Sequence, residues 1–265
     1  MTQEDRSTGG GSPPAPLNPI EESAVLQAFW RANADFEDPV ARRVVAELVT
    51  DEMAERYRAD NSIYAAMHLA SVKAADTALT AWARRHDAPS IVLLGGGLDG
   101  RAERTLLPKK SRIFNIDTPP ILARYTALTA GAPIPSVPVP ASLTKPDDLL
   151  AALEAAGWES AKPTCFIAEG VLEFTGPTRM LSLLRALITR TAPGSMVLLQ
   201  ALDPGLVAYA EHIGDKTFPW RKLPDADALL KEIQGAEVVE LSTGAPTWDG
   251  PARSVALSHV YQLTI

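Results

Sequence analysis

The sequence predicts an α/β fold, on three observations. Short apolar, β-rich segments alternate with helical ones from about residue 89 onward, two of those strands end on an acid, and a helical stretch precedes them all. Such alternation implies a mostly parallel sheet with right-handed crossovers. The expected architecture is Rossmann-like, mostly parallel with an antiparallel C-terminal edge, behind an N-terminal helical cap. The expected boundaries are a disordered tail over 1–18, the cap over 19–88 and the sheet domain over 89–265.

Taken in order, the tail carries Gly9, Gly10, Gly11, Pro13, Pro14 and Pro16 and offers little apolar surface to offset chain entropy. From Glu21 to Arg85, Ala, Leu, Val and Met recur at three- and four-residue spacings, as over Ala41 to Val49. One helix is expected from near Ser71 to His86, with Pro89 as its stop. Phe29, Trp30, Phe36, Tyr57 and Tyr64 of this block read as core residues first and pocket residues second. Ser90 to Leu94 is the first strand and ends in glycines; Arg112 to Asp117 is the second. A helix from Pro120 to Ala130 follows, with proline in its first turn. Val137 to Val139 forms a third strand that its prolines confine to an edge. Asp147 to Gly157 is helical, Thr164 to Glu169 is a buried strand, Pro177 to Thr191 is an amphipathic helix, and Ser195 to Gln200 is a strand. After a helix from Asp225 to Ile233, the strands Glu237 to Leu241 and Val255 to Ile265 have no helix between them and pair as an antiparallel edge. Trp220, beside Pro219, is placed near the pocket.

Composition narrows the function classes. With 46% hydrophobic and 22% charged residues the chain can bury a sizeable core without staples. A net charge of −7 argues against a dedicated nucleic-acid binder, which normally carries a basic stripe. Cys165 is the single cysteine, so no intrachain disulfide forms and a reducing compartment fits. No apolar run approaches the ~18 residues of a membrane helix, and the first residues lack a signal-peptide pattern. A cytoplasmic protein is expected, with a small-molecule substrate, no nucleic acid and no membrane; homo- or hetero-oligomeric assembly stays open.

The chemistry concentrates after the first strand, at Gly95, Gly96, Gly97, Leu98, Asp99, Gly100 and Arg101. At the carboxyl end of a parallel strand, bare backbone leaves room for a ligand. Asp117 ends the next strand about 20 residues on, where such folds place an acid on ribose hydroxyls. Gly95, Gly97 and Gly100 also match the Gly-x-Gly-x-x-Gly spacing of a dinucleotide loop, so NAD stays open on the glycines alone. Asp99 inside the loop would repel a pyrophosphate and favours a cofactor carrying an ammonium and a sulfonium.

Three ordered stretches carry a resemblance: Leu94 to Arg101, Phe114 to Pro119, and Glu169 to Phe174. They resemble the leucine carboxyl methyltransferase-like group, including O-methyltransferases of bacterial polyketide pathways, whose wording is roughly LGxGLDTR, EVDxP and EGVLxY. The resemblance runs from about Ser71 to Asp203. It implies a class I S-adenosyl-L-methionine (SAM) methyltransferase. In that group the glycine loop passes beneath the methionine part of SAM. Asp117 would bind the ribose, and Glu169 would lie beside the cofactor amino group and the methyl-transfer site. Lys73 stands where the group has a basic residue for the SAM carboxylate. Asp99 and Arg101 belong to the loop, and Ser142 is the polar residue left where an acid normally meets the adenine amine. Departures are Gly100 for Thr, Asn115 for Glu and Phe174 for Tyr. The missing adenine acid, Asn115 and Phe174 motivate an alternative, a methyltransferase-like protein that has lost methyl transfer and serves as a different biosynthetic enzyme or a partner subunit.

Methyl transfer is an in-line displacement in which the protein holds the partners together. A carboxylate acceptor needs no base, whereas a phenol or alcohol usually does. His68, His86, His212 and His259 lack metal-ligand spacing. His68, in the cap, is the favoured candidate base. Cys165 is expected to be a packing residue.

Overall fold

The structure, a computed structural model, describes residues 17–35, 37–59, 62–215, 222–249 and 254–265. Of the tail predicted over 1–18, residues 1–16 lie outside the described residues, as do Phe36, Pro219 and Trp220, whereas Asn18 is ordered as the cap of the first helix.

Four helices lead the chain: α1 (Pro19–Asn33), α2 (Pro39–Leu48), α3 (Asp51–Ala59) and α4 (Ser62–Ala83). Asn18 starts α1 with a capping box, its side chain accepting from the Ile20 and Glu21 amides while Glu21 accepts from the Asn18 amide. Asp38 caps α2 by accepting from the Ala41 amide at 2.9 Å. The helix expected from near Ser71 begins at Ser62. Its first turns pack through Met67 against Leu206 and Leu257, distant contacts that periodicity alone does not carry.

Strands and helices then alternate: β1 (Ser90–Leu94), α5 (Arg101–Arg104), β2 (Arg112–Asp117), α6 (Pro119–Leu128), β3 (Ser136–Pro140), α7 (Pro146–Ala155), β4 (Thr164–Ala168), α8 (Leu172–Thr175), α9 (Pro177–Arg190), β5 (Met196–Leu202), α10 (Gly205–His212), α11 (Ala226–Leu230) and β6 (Glu237–Leu241). A short hairpin, β7 (Thr247–Asp249) with β8 (Ser254–Ala256), comes before β9 (Ser258–Thr264). The main sheet has the order β3-β2-β1-β4-β5-β9-β6. Its first five strands are parallel, and β9 runs antiparallel to both β5 and β6. The proline-bearing β3 sits at the edge, where its missing amides cost no ladder bonds. The parallel sheet with an antiparallel C-terminal edge is therefore as the sequence predicts. The hairpin, α5, α8 and α10 are additions.

Central β1 and β4 are buried throughout, as strands covered on both faces must be. Alternation along each strand divides the core. Val92, Leu94, Phe114 and Phe166 pack with Leu149, Leu153, Leu183 and Leu187 of α7 and α9. Ile91, Leu93, Ile113 and Ile167 meet Ala75, Leu79 and Trp82 of α4. Cys165 is a buried member of that second face, and burial raises its thiol pKa, which suits packing rather than reactivity. Strand order reverses direction between β1 and β4, so the chain leaves their paired carboxyl ends in opposite directions and opens a crevice above them.

Candidate functional site

A cavity of about 610 Å³ occupies that crevice. Its walls come from the loops after β1, β2, β3 and β4, closed on one side by Ile20, Ala24, Gln27 and Arg31 of α1 and His68 and Val72 of α4. Most of the residues singled out in the sequence line it: Gly95, Gly96, Gly97, Asp99, Arg101, Asp117, Ser142, Glu169 and His68.

The glycine loop is built by exclusion. Gly95 and Gly97 have φ of 65° and 55°, left-handed values that side chains disfavour. A Cβ on Gly96 would lie 2.4 Å from Asn115 Oδ1 and 2.6 Å from Leu93 Cβ. The Gly97 amide donates to Asp117 Oδ2 at 2.9 Å, and the Thr118 amide donates to Asp117 Oδ1 at 2.7 Å. Asp117 is thereby oriented at the cavity wall, one backbone bond on each oxygen. Asn115, in place of the expected acid, is fully buried and donates from Nδ2 to the Gly97 carbonyl at 3.1 Å. It supports the loop from behind.

Beneath the loop lies a buried ion cluster. Arg101 pairs with Asp76 at 2.7 Å, with Glu169 Oε2 at 2.7 Å, and with Asp99. Arg104 meets Asp76 at 2.7 Å, Asp38 at 2.9 Å and Asp99 at 3.0 Å. Arg31 joins Asp38 at 2.9 Å and donates to the Leu98 carbonyl at 2.9 Å. Burial opposes the charged form of Asp99, but Arg101 and Arg104 more than offset it and hold the carboxyl well below its usual range. Its charge is therefore neutralised within the loop, and Asp99 and Arg101 act as framework for the cavity wall. The expectation that Asp99 itself would repel a pyrophosphate does not survive this pairing. Gly100 is required by the same cluster, since a Cβ there would lie 2.1 Å from Asp38 Oδ1.

Glu169 differs from its neighbours. One oxygen bonds Arg101, but Oε1 is buried with no hydrogen-bond partner among the described residues. Desolvation raises its pKa, with Arg101 opposing. His68 is lowered well below the ordinary histidine value by burial and by Arg31, Arg104 and Arg101, so it is neutral at pH 7. Its Nε2 lies 3.3 Å from Arg31 Nη1. Ser142 lines the wall after β3 and bonds Thr144 Oγ1 at 2.9 Å.

Lys73 is a correction. It is exposed on α4 and does not reach the cavity. The cavity-side positions of that helix are His68 and Val72, whereas Lys73 lies a helical step round from them. Cations at the cavity instead come from Arg31, Arg101 and Arg104. Sequence reasoning missed Arg31, Asp38, Asp76 and Arg104. Only Arg104 had a local signal, its position three residues after Arg101 on the same helix face. Phe29, Trp30, Tyr57 and Tyr64 do not line the cavity; Phe29 and Tyr57 are core residues. Among the described residues no group of His, Cys, Asp and Glu is arranged to hold a metal ion. None of their helices is long and apolar enough to cross a membrane.

Comparison with known proteins bears on the family and the fold. A Mycolicibacterium smegmatis protein provisionally named an S-adenosyl-L-methionine-dependent methyltransferase is 37% identical over 125 residues, 46% of this chain and 39% of that protein. A similarly named Mycolicibacterium vanbaalenii protein is 32% identical over 123 residues, 45% of this chain and 39% of the relative. The aligned part of the chain thus spans 39% of the length of these curated relatives. In fold, the chain resembles a Thermobifida fusca protein described provisionally as a methyltransferase, with a TM-score of 0.64 at 16% identity over 91% of this chain and 93% of that one. A DUF574 family protein from Streptomyces avermitilis gives 0.59 at 14% identity, over 91% and 96% of the two chains. The leucine carboxyl methyltransferase family profile matches residues 20–188, from the first helix through α9 and every wall of the cavity, and the chain belongs to that family.

Proposed function

We propose that the chain is a SAM-dependent O-methyltransferase whose acceptor is a small natural product or a carboxylate. The observation that carries the reading is the unpartnered Glu169 Oε1, buried at the wall of a cavity that also holds Asp117 and bare glycine backbone. A buried acceptor left without a donor is costly unless a ligand supplies one. The amino group of SAM is a donor of the right charge. The residues thus fit the cofactor: Glu169 for its amino group, Asp117 for its ribose hydroxyls, Gly95, Gly96 and Gly97 for close approach, and Ser142 near its base. When bound, SAM supplies an activated methyl group. Lys73, exposed on α4, is out of reach of its carboxylate. Apolar side chains of the lining, Leu143 and Val171 with the exposed Ile20 and Phe174, would hold the acceptor close to the methyl. We also place the protein in the cytoplasm, where a lone buried thiol is unremarkable.

One observation favours a second reading. Where the family presents an acid to the adenine amine, the wall here offers Ser142 and Thr144, while Asp147 is largely exposed and pairs with Arg190 at 3.6 Å. A protein of this fold that no longer transfers methyl groups would show such a loss. The discriminating experiment incubates the protein with SAM carrying a labelled methyl group and a panel of small carboxylates, phenols and alcohols, read by mass spectrometry. A labelled ester or ether is expected. Absence of label in every class, from protein that still binds SAM, would favour the second reading.

A further inference from the structure

We propose that Arg31 locks His68 as the neutral tautomer with its proton on Nδ1, so that Nε2 is committed to Arg31 and His68 does not serve the cavity as a base. The argument is one of proton counting. A guanidinium has donors only, so the 3.3 Å contact between Arg31 Nη1 and His68 Nε2 requires Nε2 to accept. A neutral imidazole has one acceptor nitrogen and one N–H, which puts the proton on Nδ1. Taking up a second proton at Nε2 would break the Arg31 contact. It would also place an imidazolium among Arg31, Arg101 and Arg104, with Asp99 the counter-charge felt most directly.

Arg31 is fixed independently of His68. Its Nε is bound to Asp38 and its Nη2 to the Leu98 carbonyl, leaving Nη1 aimed at the imidazole. It is a positioning residue, reaching from α1 to set the state of a side chain on α4. The ring lies against Trp30, 5.8 Å between centroids, which limits its rotation.

For the proposed reaction, the consequence is specific. The cavity's other carboxylates are engaged, Asp117 by two backbone amides, Asp99 by arginines, and Glu169 by Arg101 on one oxygen and, in the proposed reading, by the amino group of SAM on the other. Removed as a base, His68 leaves the acceptor to arrive with its lone pair free, as an oxygen already ionised at neutral pH. An alcohol would lack a group to take its proton. This consequence rests on the methyl-transfer reading, whereas the tautomer does not.

The test is two-bond ¹H–¹⁵N correlation spectroscopy on uniformly ¹⁵N-labelled protein without cofactor at pH 7. The His68 signals among the four histidines are identified by their loss in His68→Asn. The expected spectrum has the unprotonated nitrogen, at high ¹⁵N shift, coupled strongly to both ring protons, which identifies it as Nε2. An Nε2–H pattern or an imidazolium pattern would overturn the proposal. In Arg31→Leu the signature is expected to move towards a mixture of tautomers, and an unchanged signature would overturn the role of Arg31. If that variant does not fold, the wild-type spectrum alone decides the tautomer. Since no cofactor is present, failure here leaves the SAM reading standing, and failure of SAM binding leaves the tautomer standing.

Discussion

At the scale of single residues, the candidate site was legible where chemistry is local in sequence. The glycines, Asp117 and Glu169 announced themselves because strand ends and tight loops demand particular residues within a few positions. Arg31 and Asp76 did not, because their partners lie far along the chain: Arg31 bonds a carbonyl 67 residues away, and Asp76 an arginine 28 away. Lys73 failed for the opposite reason, since its position fitted a motif while its helix face pointed outward. Gly96→Ala is expected to destabilise the protein by about 1–3 kcal/mol, as overpacking against Asn115 and Leu93 requires the loop to shift. Denaturant melts check this; an unchanged midpoint would show the loop to be softer than described. His259 provides a pH prediction. Its imidazole bonds Asp203 at 3.1 Å and Glu240 at 2.6 Å, and these raise its pKa to about 9, the hydrogen bond to Asp203 first. The folded pKa lies above the unfolded value of about 6.5, so the stabilisation is complete below pH 6.5 and is lost as pH rises through 9. With Glu240 half exposed, about 1–2 kcal/mol is expected. The midpoint difference between wild type and His259→Gln should therefore shrink between pH 6.5 and 9.5, and a constant difference would contradict the assignment.

Elements were legible in proportion to their periodicity. The five parallel strands and the longer helices between them, α6, α7 and α9, came from alternation and from proline and glycine punctuation. The β7–β8 hairpin and α10 went unseen, since short segments carry too few periods to stand out. The start of α4 depends on Met67 packing against Leu206 and Leu257, an arrangement visible only once the sheet is assembled. Helix α1 connects element to function, because its cavity-facing side carries Ile20, Ala24, Gln27 and Arg31. Asn18→Ala removes the acceptor of its capping box, at a cost of about 1 kcal/mol. Since α1 closes one side of the cavity, SAM affinity should fall in the same variant. Loss of stability with unchanged affinity would show that the first turn of α1 does not matter to the site.

For the whole molecule, the buried ion cluster ties the leading helices to the sheet. Asp38 comes from the start of α2, Asp76 from α4, Arg31 from α1, Arg101 and Arg104 from α5, and Glu169 from the end of β4. We infer that helices and sheet unfold as one unit. Asp38→Ala leaves Arg31 short of its carboxylate and uncaps α2, and should cost about 3–5 kcal/mol. Scanning calorimetry should show a single transition at a lower midpoint; two separated transitions would contradict this coupling. The fold class was readable from the sequence because it follows from alternation. The cluster was not, because opposite charges find each other only through tertiary structure. The central claim is that this cavity holds SAM through Asp117 and Glu169, and calorimetric titration with SAM and S-adenosylhomocysteine tests it most directly. Micromolar binding to the wild type, weakened about 10- to 100-fold in Asp117→Ala, is the predicted result. No detectable binding by folded wild-type protein, or equal binding by the variant, would contradict it.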